Sequence, residues 1–270
     1  ANTASFNIAI DGSLSTPTLG TSNVRFGVNA GNSIASGGNY NTVVGDEAGT
    51  AITTGDRNTF IGYGSGVANN TGIYNTFVGS HTGTVHTVGY NNVAVGTGAF
   101  ASDVSSRACV AIGSGALATQ NAGTNVDAYN TAVGFDAGTA VTTGIQNTFV
   151  GGLAGDGTDD GAGNTAIGYG ALSANAADTN SAFGYFALTA CTGADNTSVG
   201  MNAGSSVTSG SNNLVLGHDA GITGSPGGNF TTVSNVMCLG DENMSACNIQ
   251  TDWTVASDAR DKTDFTALDL

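Results

Sequence analysis

Charge is scarce in this chain of 270 residues. Asp, Glu, Lys and Arg make up 9% of it, against about a quarter of an ordinary soluble domain, which excludes a disordered polyelectrolyte. Positive charge is scarcer still. Five basic residues (Arg25, Arg57, Arg107, Arg260 and Lys262) face 20 acidic ones, and the net of -15 repels a phosphate backbone, so no nucleic acid is expected as a partner. No run approaches the roughly 18 consecutive apolar residues of a membrane helix, and no membrane insertion is expected. The four cysteines (Cys109, Cys191, Cys238 and Cys247) are too few and scattered for a disulfide scaffold, and none forms a CxxC motif. Only Cys238 and Cys247 lie close enough in sequence to suggest a pair. The opening residues show neither a basic n-region nor an apolar h-region, so no secretion signal is read there. Proline occurs twice and tryptophan once, whereas glycine occurs 43 times and 40% of the residues are hydrophobic. Such a chain can bury a core, and its glycine points to something regular.

The regularity is a repeat. The pentamer Asn-Thr-x-Val-Gly recurs as NTVVG at Asn41, NTFIG at Asn58, NTFVG at Asn75, NVAVG at Asn92, NTAVG at Asn130, NTFVG at Asn147 and NTAIG at Asn164. Counting weaker copies by the closing glycine, the series runs Gly27, Gly45, Gly62, Gly79, Gly96, Gly113, Gly134, Gly151, Gly168, Gly184, Gly200, Gly217 and Gly240. Successive steps are 18, 17, 17, 17, 17, 21, 17, 17, 16, 16, 17 and 23 residues. A unit of about 17 residues is too short for a helical hairpin or a propeller blade, and interior glycine costs a helix roughly 1 kcal/mol per site. The unit fits one coil of an all-β solenoid, a parallel β-roll of about 13 coils stacked at about 4.8 Å, roughly 60 Å in all. Asparagine opens eleven of the thirteen copies, Cys109 and Val236 being the exceptions, and stacked amides can hydrogen-bond along such a ladder. A small residue follows three positions after the closing glycine, as at Ala48, Ser65, Thr82, Ala99, Ala137 and Ala220, which suits a thin coil.

The side-chain alternation of a strand sorts the remaining positions. The fourth pentamer position is large and apolar in every copy, from Phe26 and Val44 to Leu216 and Leu239, and is expected inside. The third position then faces out. Its column includes Val43, Phe60, Phe77, Ala94, Ala111, Ala132, Phe149, Ala166, Ala182 and Val215, an apolar stripe that calls for cover. Identical chains under rotational symmetry would supply it, so these ten residues are expected to form a homotrimer interface. The same parity places the threonines at the second position (Thr42, Thr59, Thr76, Thr131, Thr148, Thr165 and Thr197) on the interior side, which argues against an ice-binding array.

With these residues in view, NTAIG, NTAVG and NVAVG resemble the Asn-Ser-x-Ala-Ile-Gly signature of trimeric autotransporter adhesin heads, which are left-handed parallel β-rolls, over roughly residues 23 to 240. Such repeats also occur in phage tail fibres. The segment Ser257-Asp258-Ala259-Arg260-Asp261-Lys262-Thr263-Asp264-Phe265 resembles the opening of the self-cleaving intramolecular chaperone at the ends of many phage tail spikes and fibres. That resemblance implies Ser257 as nucleophile, Lys262 as its assistant and cleavage between Ala256 and Ser257; a lysine of lowered pKa can serve as base for a serine hydroxyl. The implied organisation is a connector at 1–22, the repeat at 23–240, a second connector at 241–256 and the start of the chaperone segment at 257–270. The implied protein is a homotrimeric structural fibre for host attachment, in a virion tail or on an extracellular surface. Its expected partners are other tail proteins and a host surface glycan or protein. A cellular trimeric adhesin head is the alternative.

Asp156-Gly157-Thr158-Asp159-Asp160-Gly161 could suit a hard cation but lacks the twelve-residue pattern, and a solvated turn is expected. His81, His86 and His218 have no Cys or Glu at ligand spacing and are read as surface turn residues. No phosphate loop occurs, and no metal, cofactor or turnover is expected. Tyr40, Tyr74 and Tyr129 each precede a pentamer and are expected to form an outward aromatic column suited to sugar rings. The longer excursions at 120–129 and 221–235 are expected to leave the coil as loops, where binding usually resides.

Overall fold

The structure, a computed structural model, describes residues 18–246 together with the strands Asn7–Ile8 and Leu14–Ser15, which pair antiparallel. The chain is an all-β solenoid. Thirteen three-residue strands, from Val24–Phe26 and Thr42–Val44 to Leu214–Leu216 and Met237–Leu239, form one parallel sheet in strict sequence order. No helix occurs among the described residues. Each pentamer supplies its second, third and fourth residues as the strand, and equivalent positions pair, so Phe60 lies between Val43 and Phe77. The closing glycine is obligatory for two reasons. Gly45 has φ +133, and a Cβ there would stand 2.5 Å from the carbonyl oxygen of Gly62 on the next coil.

The strand faces are the reverse of the sequence expectation. The third position points into the coil: Val43, Phe60, Phe77, Ala94, Ala111, Ala132, Phe149, Ala166, Ala182 and Val215 are all 0% exposed in the single chain. They are core and cannot form a surface between chains. The fourth position points outward, with Ile61, Ile112, Ile167, Phe183 and Val199 among the exposed hydrophobics. The reason lies two residues upstream. The opening asparagines are fully enclosed, and a strand puts the first and third positions on one side. The burial that an amide ladder demands outweighs the size of the fourth residue.

That ladder is realised atom by atom. The backbone N–H of each opening residue donates to the Oδ1 of the asparagine one coil earlier: Asn41 to Asn23 at 2.8 Å, Asn58 to Asn41 at 2.9 Å, Asn75 to Asn58 at 3.0 Å, Asn92 to Asn75 at 3.1 Å and Cys109 to Asn92 at 3.0 Å. It resumes with Asn147 to Asn130 and continues to Val236, which donates to Asn213 at 3.2 Å. The Nδ2 of the same residues crosses the coil to a turn carbonyl, as Asn41 does to Gly55 and Asn58 to Gly72. One side chain thereby satisfies two buried backbone groups that the tight turns leave orphaned, each of which would cost about 1–3 kcal/mol unpaired.

The interior is filled by a volume exchange within each coil. Where the strand carries Phe60, Phe77 or Phe149, the residue six positions on is Gly66, Gly83 or Gly155, and a Cβ on any of these would meet the ring at 2.5–2.6 Å. Where the strand carries Ala94, Ala111, Ala166 or Ala182, the same place holds buried Phe100, Leu117, Leu172 or Leu188. The coil has room for one large group and accepts it from either wall. Ala132 faces Gly138, and there the rings and methyls of the neighbouring coils, Phe149 and Leu117, close in.

Candidate contact face

The outer surface of the sheet carries two parallel rows. The second pentamer positions form one, half-buried and mostly threonine (Thr42, Thr59, Thr76, Thr131, Thr148, Thr165 and Thr197). The fourth positions form the other, apolar in all thirteen strands. Because the strands pair in register, the rows are straight and their members repeat at the strand spacing of about 4.8 Å. Threonine and β-branched residues are the types a pleated surface accepts most readily. Their persistence on a face open to solvent is a different matter, since among the described residues Ile112, Ile167 and Val199 remain 39–43% exposed.

No family model, curated protein or solved structure matches the chain. The geometry therefore carries the argument.

The tyrosines are brought together only in part. Tyr40, Tyr74 and Tyr129 are all exposed, each in the left-handed corner that precedes the pentamer, with φ of 58°, 58° and 51°. Arg57 occupies the equivalent corner between the first two, its guanidinium 5.2 Å from the centre of the Tyr40 ring and 5.4 Å from that of Tyr74. The cation thus sits over the faces that the two rings turn toward each other, which makes a cation–π stack rather than an open sugar platform. Tyr129 stands three coils beyond Tyr74, with Asn91 and Ala108 in the corners between, and does not join them. A separate stack of Tyr169, Tyr185 and Phe186 lies at the opposite corner of later coils, the two tyrosine rings 5.7 Å apart and 17° from parallel.

The long excursions leave the coil as strand-free loops held by a few anchoring residues. Gln120 is fully buried and its Oε1 accepts the Asn130 amide at 2.5 Å, while Arg107 donates to Asn125 at 2.6 Å. Phe230 and Ser225 in the second excursion are also buried. Within Asp156–Gly161, Asp159 accepts the Thr142 hydroxyl of the preceding coil, and burial raises the Asp156 carboxyl pKa. Ser257, Lys262, Ala256 and Cys247 lie outside the described residues.

The histidines depart furthest from expectation. His81 is exposed, as a turn residue should be. His86 is fully buried, with Nδ1 3.0 Å from Asp103 Oδ1 and its ring between Phe77 and Phe100 at 5.4 and 5.7 Å. Asp103 Oδ1 also accepts the Ser106 N–H at 2.8 Å. His218 faces two carboxylates, Asp219 and Asp241. Sequence spacing hid both arrangements, because Asp103 lies 17 residues beyond His86, and Asp241 lies 23 residues beyond His218. The coil repeat itself was the signal, since residues one step apart become neighbours.

Proposed function

We propose that the chain is a structural rod that assembles with identical copies through its outward fourth-position row, and that it serves attachment as the shaft or distal roll of a homotrimeric fibre. The observation that carries this reading is the uninterrupted apolar row on the outer face, Phe26 through Leu239, whose members are half-buried or exposed in the single chain. A contiguous apolar stripe of this length normally marks a contact surface, and rotational symmetry matches each coil to its own copy. The resemblance to trimeric adhesin heads and phage fibres supports the same assembly. Aligned chains would present each weak recognition element several times, so avidity rather than turnover would supply the binding. The tail-fibre setting, the surface glycan or protein partner and single-turnover cleavage before Ser257 belong to this proposal. They rest on the resemblance of the repeats and of Ser257–Phe265.

Sedimentation of the full chain tests it: a trimer is expected, and Ile61→Lys/Ile112→Lys/Ile167→Lys is expected to be monomeric with an unchanged circular-dichroism spectrum. A monomeric parent chain overturns the proposal. Intact mass of the parent chain, compared with that of Ser257→Ala, tests the cleavage.

A second reading is favoured by one finding. The threonine row faces outward beside the β-branched row, which removes the parity objection to an ice-facing array. Thermal hysteresis in the parent chain that disappears in Thr59→Lys/Thr76→Lys would establish that reading, and its absence would dismiss it.

A further inference from the structure

At the far end of the sheet the last two coils bring three metal-ligating groups to one point. His218 and Asp241 occupy the same place in successive coils, each directly after the closing glycine, Gly217 or Gly240. The longer step between these coils is absorbed by the 221–235 excursion, so the corners still stack. His218 Nδ1 lies 3.2 Å from Asp219 Oδ2 and 3.9 Å from Asp241 Oδ2, and one donor atom of each residue falls within 4.8 Å of the others. Two ligands bound to one zinc at about 2.0–2.2 Å stand about 3.4 Å apart at the tetrahedral angle and at most about 4.4 Å apart. The separation from His218 to Asp241 falls in that range, and the one to Asp219 is about 0.2 Å short of it.

Outside the trio, both carboxylates are oriented. Asn202 Nδ2 donates to Asp219 Oδ1 at 2.9 Å, leaving Oδ2 turned to the imidazole. Asn243 donates its side-chain amide to Asp241 Oδ2 and its backbone N–H to Oδ1, both at 3.0 Å. Those bonds, the side-chain one first, hold the Asp241 carboxyl below the usual carboxylate range. Amide donors of this kind fix the orientation of metal-binding carboxylates. The imidazole separates the trio from an ordinary acidic cluster: carboxylates alone suit magnesium and calcium, whereas a nitrogen donor selects toward zinc and its neighbours in the transition series.

We infer that His218, Asp219 and Asp241 bind one zinc ion per chain, with solvent completing its coordination. The site does not depend on the attachment reading. It joins the last coil to the one before it across the longest step of the repeat, where a metal clip stabilises the folded state in proportion to its occupancy.

Zinc titration of the full chain by calorimetry, in excess magnesium to suppress loose carboxylate binding, tests the inference. One zinc per chain is expected. His218→Ala and Asp241→Asn should each weaken it at least tenfold, while His81→Ala should bind as the parent does. Circular dichroism of every variant confirms that the coil is retained. No saturable zinc binding, or binding that survives both substitutions, overturns the site and leaves the trio as a polar corner cluster. Sedimentation in chelator reports assembly separately: a trimer that binds no zinc defeats this site alone, and a zinc-binding monomer defeats the fibre reading alone.

Discussion

The coils around Phe60 and Phe77 and those around Leu172 and Leu188 solve one packing problem in opposite ways. The first pair draws its bulk from the strand and keeps glycine in the turn; the second keeps alanine in the strand and draws its bulk from the turn. The cross-section holds one large group, and the sheet is indifferent to which wall provides it. The backbone is therefore set by asparagine and glycine, while the apolar residues fill whatever space is left. His86 marks one boundary between the two solutions, packed between Phe77 on a strand and Phe100 in a turn. There the interior row that holds Ile52 earlier and Val141 later becomes polar, through Asn69, His86, Asp103 and Gln120.

The equivalence of the two solutions can be broken outright. Phe60→Ala leaves a coil with no large group and is expected to cost about 4 kcal/mol in urea unfolding. Phe60→Ala/Gly66→Leu recreates the Ala166/Leu172 arrangement, and recovery of less than half of that loss would refute the exchange. The boundary comes next. Asp103→Ala strips His86 of its buried partner and is expected to cost about 3 kcal/mol, whereas His86→Val/Asp103→Val restores an apolar row and should equal or exceed the parent in stability. A double variant weaker than the single one would show that the pair does more than occupy the boundary. Removing one ladder amide common to both kinds of coil, by Asn75→Ala, should cost about 2 kcal/mol, because two backbone groups lose their partners. The smallest effect is a gain. Cys109 interrupts the amide ladder, and burial pushes its thiol up to about 12. Cys109→Asn extends the ladder toward Asn130 and should add about 1 kcal/mol.

Most of the fold was legible from the chain. The spacing of thirteen glycines set the coil count, and each strand is the middle three residues of a pentamer. The orientation of those strands was legible too, but in a different place. The exchange between positions such as Phe60 with Gly66 and Ala94 with Phe100 is visible in the repeat and marks the third position as interior. So does the parity it shares with asparagine. The fourth position, constant in character, invited the opposite conclusion, because an unvarying apolar residue is more often core than contact. The His86–Asp103 pair and the His218 trio were illegible to motif reading, which looks for ligands within one stretch of chain. Stacking puts residues separated by one whole coil side by side.

The asparagine ladder has a direction, and that direction gives the sheet a last rung. Every Oδ1 receives the N–H of the coil that follows, so each coil prepares the docking site of its successor. Val236 donates its N–H to Asn213 Oδ1 and has no amide of its own to hold out. A coil arriving after it would bury a backbone donor with nothing to meet, at a cost that discourages further growth from that edge. An open parallel sheet of this kind invites end-to-end polymerisation, and the last described strand meets it with an apolar side chain where most of its predecessors offer an amide oxygen.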